Sequence, residues 1–130
     1  TNLLRAHGLN MSGLQEVFRS KIISRITYAS PAWWGLASKT ECNRINAFLR
    51  RSKKFQIYHS DAPMFEDLCI ASDDSLFNKI QCNPTHVLYK LFPKQKKVPY
   101  DLRKRKHNFT LPLKDDRNFV NRILYKELNF

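Results

Sequence analysis

Glycine is scarce in this chain: Gly8, Gly13 and Gly35 are the three in 130 residues. So few glycines cannot build a glycine-rich loop that cradles phosphates, which excludes the nucleotide-binding folds that depend on one. The three cysteines, Cys42, Cys69 and Cys82, are odd in number and share no repeating spacing. That pattern argues against a disulfide framework and for reduced thiols in an intracellular compartment, nuclear or cytoplasmic. No apolar run approaches the roughly 18 residues that a membrane-crossing helix needs. A basic start followed by an apolar stretch and a small-residue cleavage site is also missing, so the chain is not expected to be secreted. Thr1-Asn2-Leu3-Leu4, without an initiator Met, reads as a chain entered midway. Acidic residues are few, 11 against 23 Lys and Arg, for a net charge of +12. A surface of that sign collects polyanions, with nucleic acid the first candidate and an anionic membrane face the second.

What is present is helical periodicity. In residues 12 to 30, Leu14, Val17, Phe18, Ile22 and Ile26 form one apolar stripe behind a Ser12/Gln15 capping-box pattern. Pro31 is expected to end that helix, because the residue before a proline avoids the α region, and Gly35 to close the turn. Ser38 and Glu41 repeat the capping box and open TECNRINAFLRRSKK, with Cys42, Ile45, Phe48 and Leu49 as its buried face. MFEDLCIA and SDDSLFNKIQC read as two short helices with Ser72 or Asp73 as a cap between them. Asn83-Pro84 then opens a further short helix. Periodicity vanishes from Pro93 to Pro112 and returns in a final helix capped by Asp115 or Asp116, with Phe119, Ile123 and Leu124 inward. The expected fold is all-α, a small array of about five to six helices. It divides into a helical domain over residues 1–92, an irregular basic linker over 93–112 and a C-terminal helix over 113–130.

Chemistry-bearing patterns are thin. Paired carboxylates hold metal ions in polymerases, but Asp73-Asp74 and Asp115-Asp116 each precede a helical stripe, where capping and the helix dipole explain them. Cys82 and His86 are separated by Pro84 and lack the second close pair that zinc sites show. No catalytic residue, metal ligand or cofactor site is therefore expected in this chain. The strongest binding candidate is the cluster Arg44, Arg50, Arg51, Lys53 and Lys54 on a rigid helix, suited to phosphate contacts along a duplex. Its plain alternative is a solvated face favoured by the helix dipole. Arg103, Lys104, Arg105 and Lys106 form a second basic run that is either a phosphate clamp, a nuclear import signal or solvated charge. Its neighbours Tyr100, His107 and Phe109 would supply stacking surfaces for a single strand. Trp33 and Trp34 are expected to be structural rather than base-stacking, with Trp34 pinning the corner between the first two long helices and Trp33 covering its edge.

ITYASPAWWG, NAFLRRSKK, FEDLC, DDSLFNKI, NPTHVLYKLFP, YDLRKRKH and FVNRILYKEL, taken in order, resemble the C-terminal end of reverse transcriptases from non-LTR retrotransposons of the jockey-like or LINE-like sort. The likeness covers nearly the whole chain, from about Leu3 to Phe130. In that family an endonuclease precedes fingers and a palm with an aromatic-x-Asp-Asp metal box, followed by a helical thumb and a tail. The resemblance implies thumb plus tail: a module binding RNA, DNA or an RNA–DNA hybrid without sequence choice and seated against an upstream palm and fingers, with no membrane partner. It implies no catalysis by this chain alone, since Mg2+ would belong to the palm. The alternative is a non-catalytic helical protein-interaction or structural fragment, a remnant of a mobile element.

Overall fold

The computed structural model describes residues 2–95, 97 and 107–126. Among them the protein is all-α, with α1 Asn2–Ala6, α2 Met11–Val17, α3 Ser24–Thr27, α4 Ser30–Trp33, α5 Lys39–Lys54, α6 Phe65–Cys82 and α7 Phe119–Lys126. No described residue belongs to a β-strand; one isolated antiparallel bridge joins Gln95 and Phe109. No described helix is long and apolar enough to cross a membrane.

Several boundaries differ from the sequence expectation, each for a local reason. The first long helix is capped by Asn10, whose Oδ1 accepts from Gly13 N at 2.8 Å, rather than by Ser12. A π-helical turn, Phe18–Ile23, joins α2 to α3 without a break. Its wider turn delays the apolar register by one residue, so Ile23 is buried with Leu14 and Phe18 while Ile22 is only half-buried. The helix then stops at Thr27, before Pro31. Ala29 takes a left-handed backbone at φ 50°, and Pro31 lies in the first turn of α4, where its missing N–H costs nothing.

Residues 65–82 form one helix instead of two, and Asp73 and Asp74 lie in its interior. Asp73 does not cap because its carboxylate is engaged by side chains far along the chain, which leaves the local backbone to the helix. The helix expected after Asn83-Pro84 is replaced by turns. Asn83 Oδ1 accepts from Thr85 N at 3.1 Å, and only Tyr89–Leu91 completes a 3-10 turn. The last helix starts at Phe119: Asn118 Oδ1 accepts from Val120 N at 3.0 Å, while Asp115 serves Arg117 N.

The described chain packs as two compact units. The first takes residues up to Ser30 together with Ala37–Ile70. Its buried residues include Leu14, Phe18, Ile23, Leu49, Tyr58, Phe65 and Cys69. Phe18 is its aromatic hub, with ring centroids 6.0 Å from Phe48 and 5.3 Å from Tyr58. The second unit takes Pro31–Leu36 and the described residues from Ala71 onward. Phe77, Ile123 and Leu124 form its centre, flanked by Phe92, Phe109, Phe119 and Val120.

His107 belongs to that second core. It is 6% exposed, its Nε2 lies 2.9 Å from Leu124 O, and its Nδ1 accepts from Phe109 N at 3.2 Å. Those two contacts fix the tautomer: Nε2 carries the proton and donates. His107 and Phe109 are thus core residues and not the stacking surfaces expected beside the basic run. The Gln95–Phe109 bridge, with Thr110 N donating to Lys94 O at 3.0 Å, brings the chain back on itself and carries both rings inward.

Candidate nucleic-acid interface

α5 holds most of the predicted binding residues, and its start is built as the sequence indicates. Ser38 N donates to Glu41 Oε2 at 2.7 Å and Glu41 N donates to Ser38 Oγ at 3.2 Å, a complete capping box. The Ser38 backbone N–H first, and its hydroxyl second, hold the Glu41 carboxyl below its ordinary pKa, with Arg44 adding to the effect. The helix therefore begins on a stable anion and ends among cations, which is the order the macrodipole favours.

Leu49 and Ser52 are buried along the inner side of α5. At helical spacing, Arg44, Arg50, Arg51 and Lys54 fall within an arc of about 120° on the side away from Leu49. All four are exposed, and no salt bridge of the described residues engages them. Lys53 is different. Its Nζ donates to Ser60 O at 3.0 Å and to Ala62 O at 2.5 Å, and lies 5.6 Å from the Tyr58 ring centroid. Lys53 thus stitches the loop after α5, and the Tyr58 hydroxyl, donating to Pro63 O at 2.7 Å, holds the same loop. Burial pushes the Tyr58 phenol above its usual pKa.

The end of α5 is equally defined. Gln56 N donates to Lys53 O at 2.9 Å and Ile57 N to Ser52 O at 3.1 Å, the two bonds of a Schellman motif. Gln56 sits at φ 61°, a left-handed position usually given to glycine, and Gln15 Nε2 donates to its carbonyl at 2.8 Å. On the other flank, Asn46 Nδ2 donates to the Glu66 carboxylate while Asn46 Oδ1 accepts from Phe65 N at 3.1 Å. One side chain of α5 thereby caps the start of α6.

Arg103, Lys104, Arg105 and Lys106 lie outside the described residues, as does Tyr100. Trp34 is placed in the second unit, where it packs with Arg122 and Asp73. Its Nε1 donates to Asp73 Oδ2 at 3.0 Å. Arg122 Nε and Nη2 pair with both Asp73 oxygens at 2.9 and 3.0 Å, and the guanidinium lies 4.8 Å from the Trp34 ring. The remaining guanidinium protons go to the carbonyls of Pro31, Asp116 and Arg117. A Cβ on Gly35 would stand 2.6 Å from Arg122 Nη1, so glycine is required there for space. Pro31, Trp34 and Gly35 therefore form a socket for one arginine. Trp33 is half-buried.

No group of His, Cys, Asp and Glu among the described residues is disposed to hold a metal ion. Asp73 is committed to Arg122, and Asp74 accepts from Lys126 Nζ at 2.5 Å. His86 Nδ1 accepts from Leu88 N, and Cys82 is exposed. A groove of about 490 Å³ in the second unit is walled by Leu36, Leu76, Leu88, Leu91 and Phe119. Its lining also includes Asp115, Arg117 and Asn118, and Asp115 Oδ1 and Asn118 Oδ1 each accept a backbone N–H. The surface feature that the sequence does not signal is aromatic: Phe55, just past α5, is 61% exposed, and Phe48, expected to be buried, is 37% exposed. No protein-family model, curated protein or solved structure matches this chain.

Proposed function

We propose that this protein is a non-catalytic module that binds nucleic acid through its phosphates, without sequence choice, on the outer face of α5. The single observation that carries this reading is the arc of Arg44, Arg50, Arg51 and Lys54, exposed and engaged by no salt bridge of the described residues. Exposed cations that no salt bridge of the described residues engages are available to phosphates at little reorganisation cost, and each contact releases counterions. Lys53 has a reduced part in this, because its ammonium is already bonded to the loop.

The resemblance to the thumb and tail of non-LTR retrotransposon reverse transcriptases supports the same reading and supplies its setting. On that basis the partners are RNA, DNA or a primed RNA–DNA hybrid, together with the palm and fingers of a polymerase, where the catalytic Mg2+ belongs. The compartment is intracellular, in keeping with an odd number of cysteines, Cys42, Cys69 and Cys82, that share no repeating spacing.

Fluorescence anisotropy with a labelled primed RNA–DNA hybrid, read across a salt series, tests this. The logarithm of affinity should fall with the logarithm of salt by about 0.9 per phosphate contact. Combining Arg50→Gln, Arg51→Gln and Lys54→Gln should make that slope shallower by about 2 to 3. A flat salt response in the parent protein, or no binding at low salt, would sink the proposal.

A further inference from the structure

The cationic arc of α5 borders a second pattern. Arg44, Phe48, Arg51 and Phe55 follow one another at spacings of four, three and four residues. That spacing places all four on a single stripe of the helix, with arginine and aromatic ring alternating. Phe48 and Phe55 are seven residues apart, about 10 Å along the axis, and Arg51 lies between them.

Neither ring is exposed by accident of a loose helix end. Phe55 is the C-cap of α5, and the Schellman bonds from Gln56 and Ile57 fix the backbone around it. The hydrophobic contact that usually accompanies such a motif falls to the residue after the left-handed position, here the half-buried Ile57. Phe55 is left over, at 61% exposure on a backbone held on both sides. Phe48 is anchored by stacking against Phe18 at 6.0 Å, with part of its ring still open to solvent.

We propose that Arg44, Phe48, Arg51 and Phe55 form a stripe that holds unpaired nucleotides, the rings stacking on bases and the guanidinium groups contacting the intervening phosphates. An exposed aromatic ring gains nothing from a duplex, whose bases are stacked on one another. It gains a contact from every base it meets in a single strand. This inference rests on the phosphate-binding reading of α5 and sharpens it. Within a primed template the stripe engages the unpaired strand, whereas the basic cluster alone suggests a surface tracking a duplex.

The test compares the full chain with Phe55→Ala, Phe55→Leu and Phe55→Trp, using anisotropy at one fixed salt concentration. The probes are labelled oligo(dT), labelled oligo(rU), a blunt duplex of equal length, and heparin as a polyanion without bases. The parent should prefer the single strands. Phe55→Ala and Phe55→Leu should weaken single-strand binding roughly 5- to 100-fold. Both should leave duplex and heparin binding unchanged, and Phe55→Trp should retain affinity. The Leu variant keeps an apolar side chain at this site, so a loss shared by Ala and Leu and absent in Trp reports stacking, not folding. A larger loss on oligo(rU) than on oligo(dT), or the reverse, identifies the strand chemistry and supports the stripe either way. Equal losses on single strand, duplex and heparin would overturn it, as would unchanged single-strand binding in both apolar variants. A parent that prefers duplex would overturn the stripe while the phosphate reading stands. Failure of every polynucleotide to bind would remove both.

Discussion

Arg51 on α5 and Arg122 on α7 carry the same guanidinium into opposite surroundings. Arg51 is exposed and engaged by no salt bridge of the described residues. Arg122 is 9% exposed, and its five N–H groups are directed to Asp73, Pro31, Asp116 and Arg117. A buried charge persists only when it is paired and fully hydrogen-bonded, so the surroundings of Arg122 leave no donor for a ligand. An exposed arginine loses little by standing alone and keeps all its donors. Charge count does not separate these two roles; the fate of each proton does.

The widest gap between the two regions should appear on truncation. Arg122→Ala leaves Asp73 buried and unpaired, and should cost about 3–5 kcal/mol. Urea unfolding followed by tryptophan fluorescence checks this, since Trp33 and Trp34 both belong to the unit that holds the pair. Asp73→Ala should cost a similar amount, whereas the joint change to Asp73→Leu and Arg122→Met should recover much of it, because the site then holds no unpaired charge. A loss below about 1 kcal/mol for Arg122→Ala would show that the pair stabilises little, and the contrast with Arg51 would collapse.

Gly35 tests the walls of the socket in place of its charge. Its missing Cβ is where Arg122 Nη1 and the carbonyls of Asp116 and Arg117 converge, at 2.6, 2.7 and 2.8 Å from the position a methyl would take. Two of those neighbours are backbone, which cannot swing aside as a side chain can. Gly35→Ala should therefore destabilise by about 1–3 kcal/mol through overpacking. Unchanged stability of Gly35→Ala would mean that the guanidinium has room to retreat.

The two regions also differ in how far the sequence reveals them. α5 is a local structure: Ser38 and Glu41 cap it within one turn, and its charged arc follows from helical period alone. Its boundaries and the exposure of Arg44, Arg50, Arg51 and Lys54 are therefore readable in the sequence, whereas the loop bonds of Lys53 are not. The socket depends on contacts between residues 31–35, 73 and 122, and no periodicity signals such a meeting. That is why Asp73 reads as a cap in the sequence and turns out to lie inside an unbroken helix. His107 and Phe109 fail for the same reason. They follow a basic run and resemble its stacking partners until the Gln95–Phe109 bridge turns them into the core. Phe55 was hidden differently, since an aromatic residue after a charged helix end gives no sign of whether it will be covered.

The finest version of the comparison lies in two adjacent lysines. Lys53 and Lys54 have the same side chain one position apart, yet Lys53 bonds the carbonyls of Ser60 and Ala62 while Lys54 stands on the exposed arc. A charged donor to carbonyl oxygens contributes more than a neutral one, but this one is only half-buried, and water competes for it. Lys53→Gln should then cost about 1 kcal/mol in stability and leave the salt slope of nucleic-acid binding nearly unchanged. Lys54→Gln should alter stability by less than about 0.5 kcal/mol, because the lost dipole benefit is offset by relief of repulsion from Arg50, one helical turn away. The same change should make the salt slope shallower by about 1. Measuring both variants by urea denaturation and by anisotropy across a salt series separates cations that hold the fold from cations that hold phosphate. Equal slopes for the two would mean that the exposed arc is not where the polyanion sits.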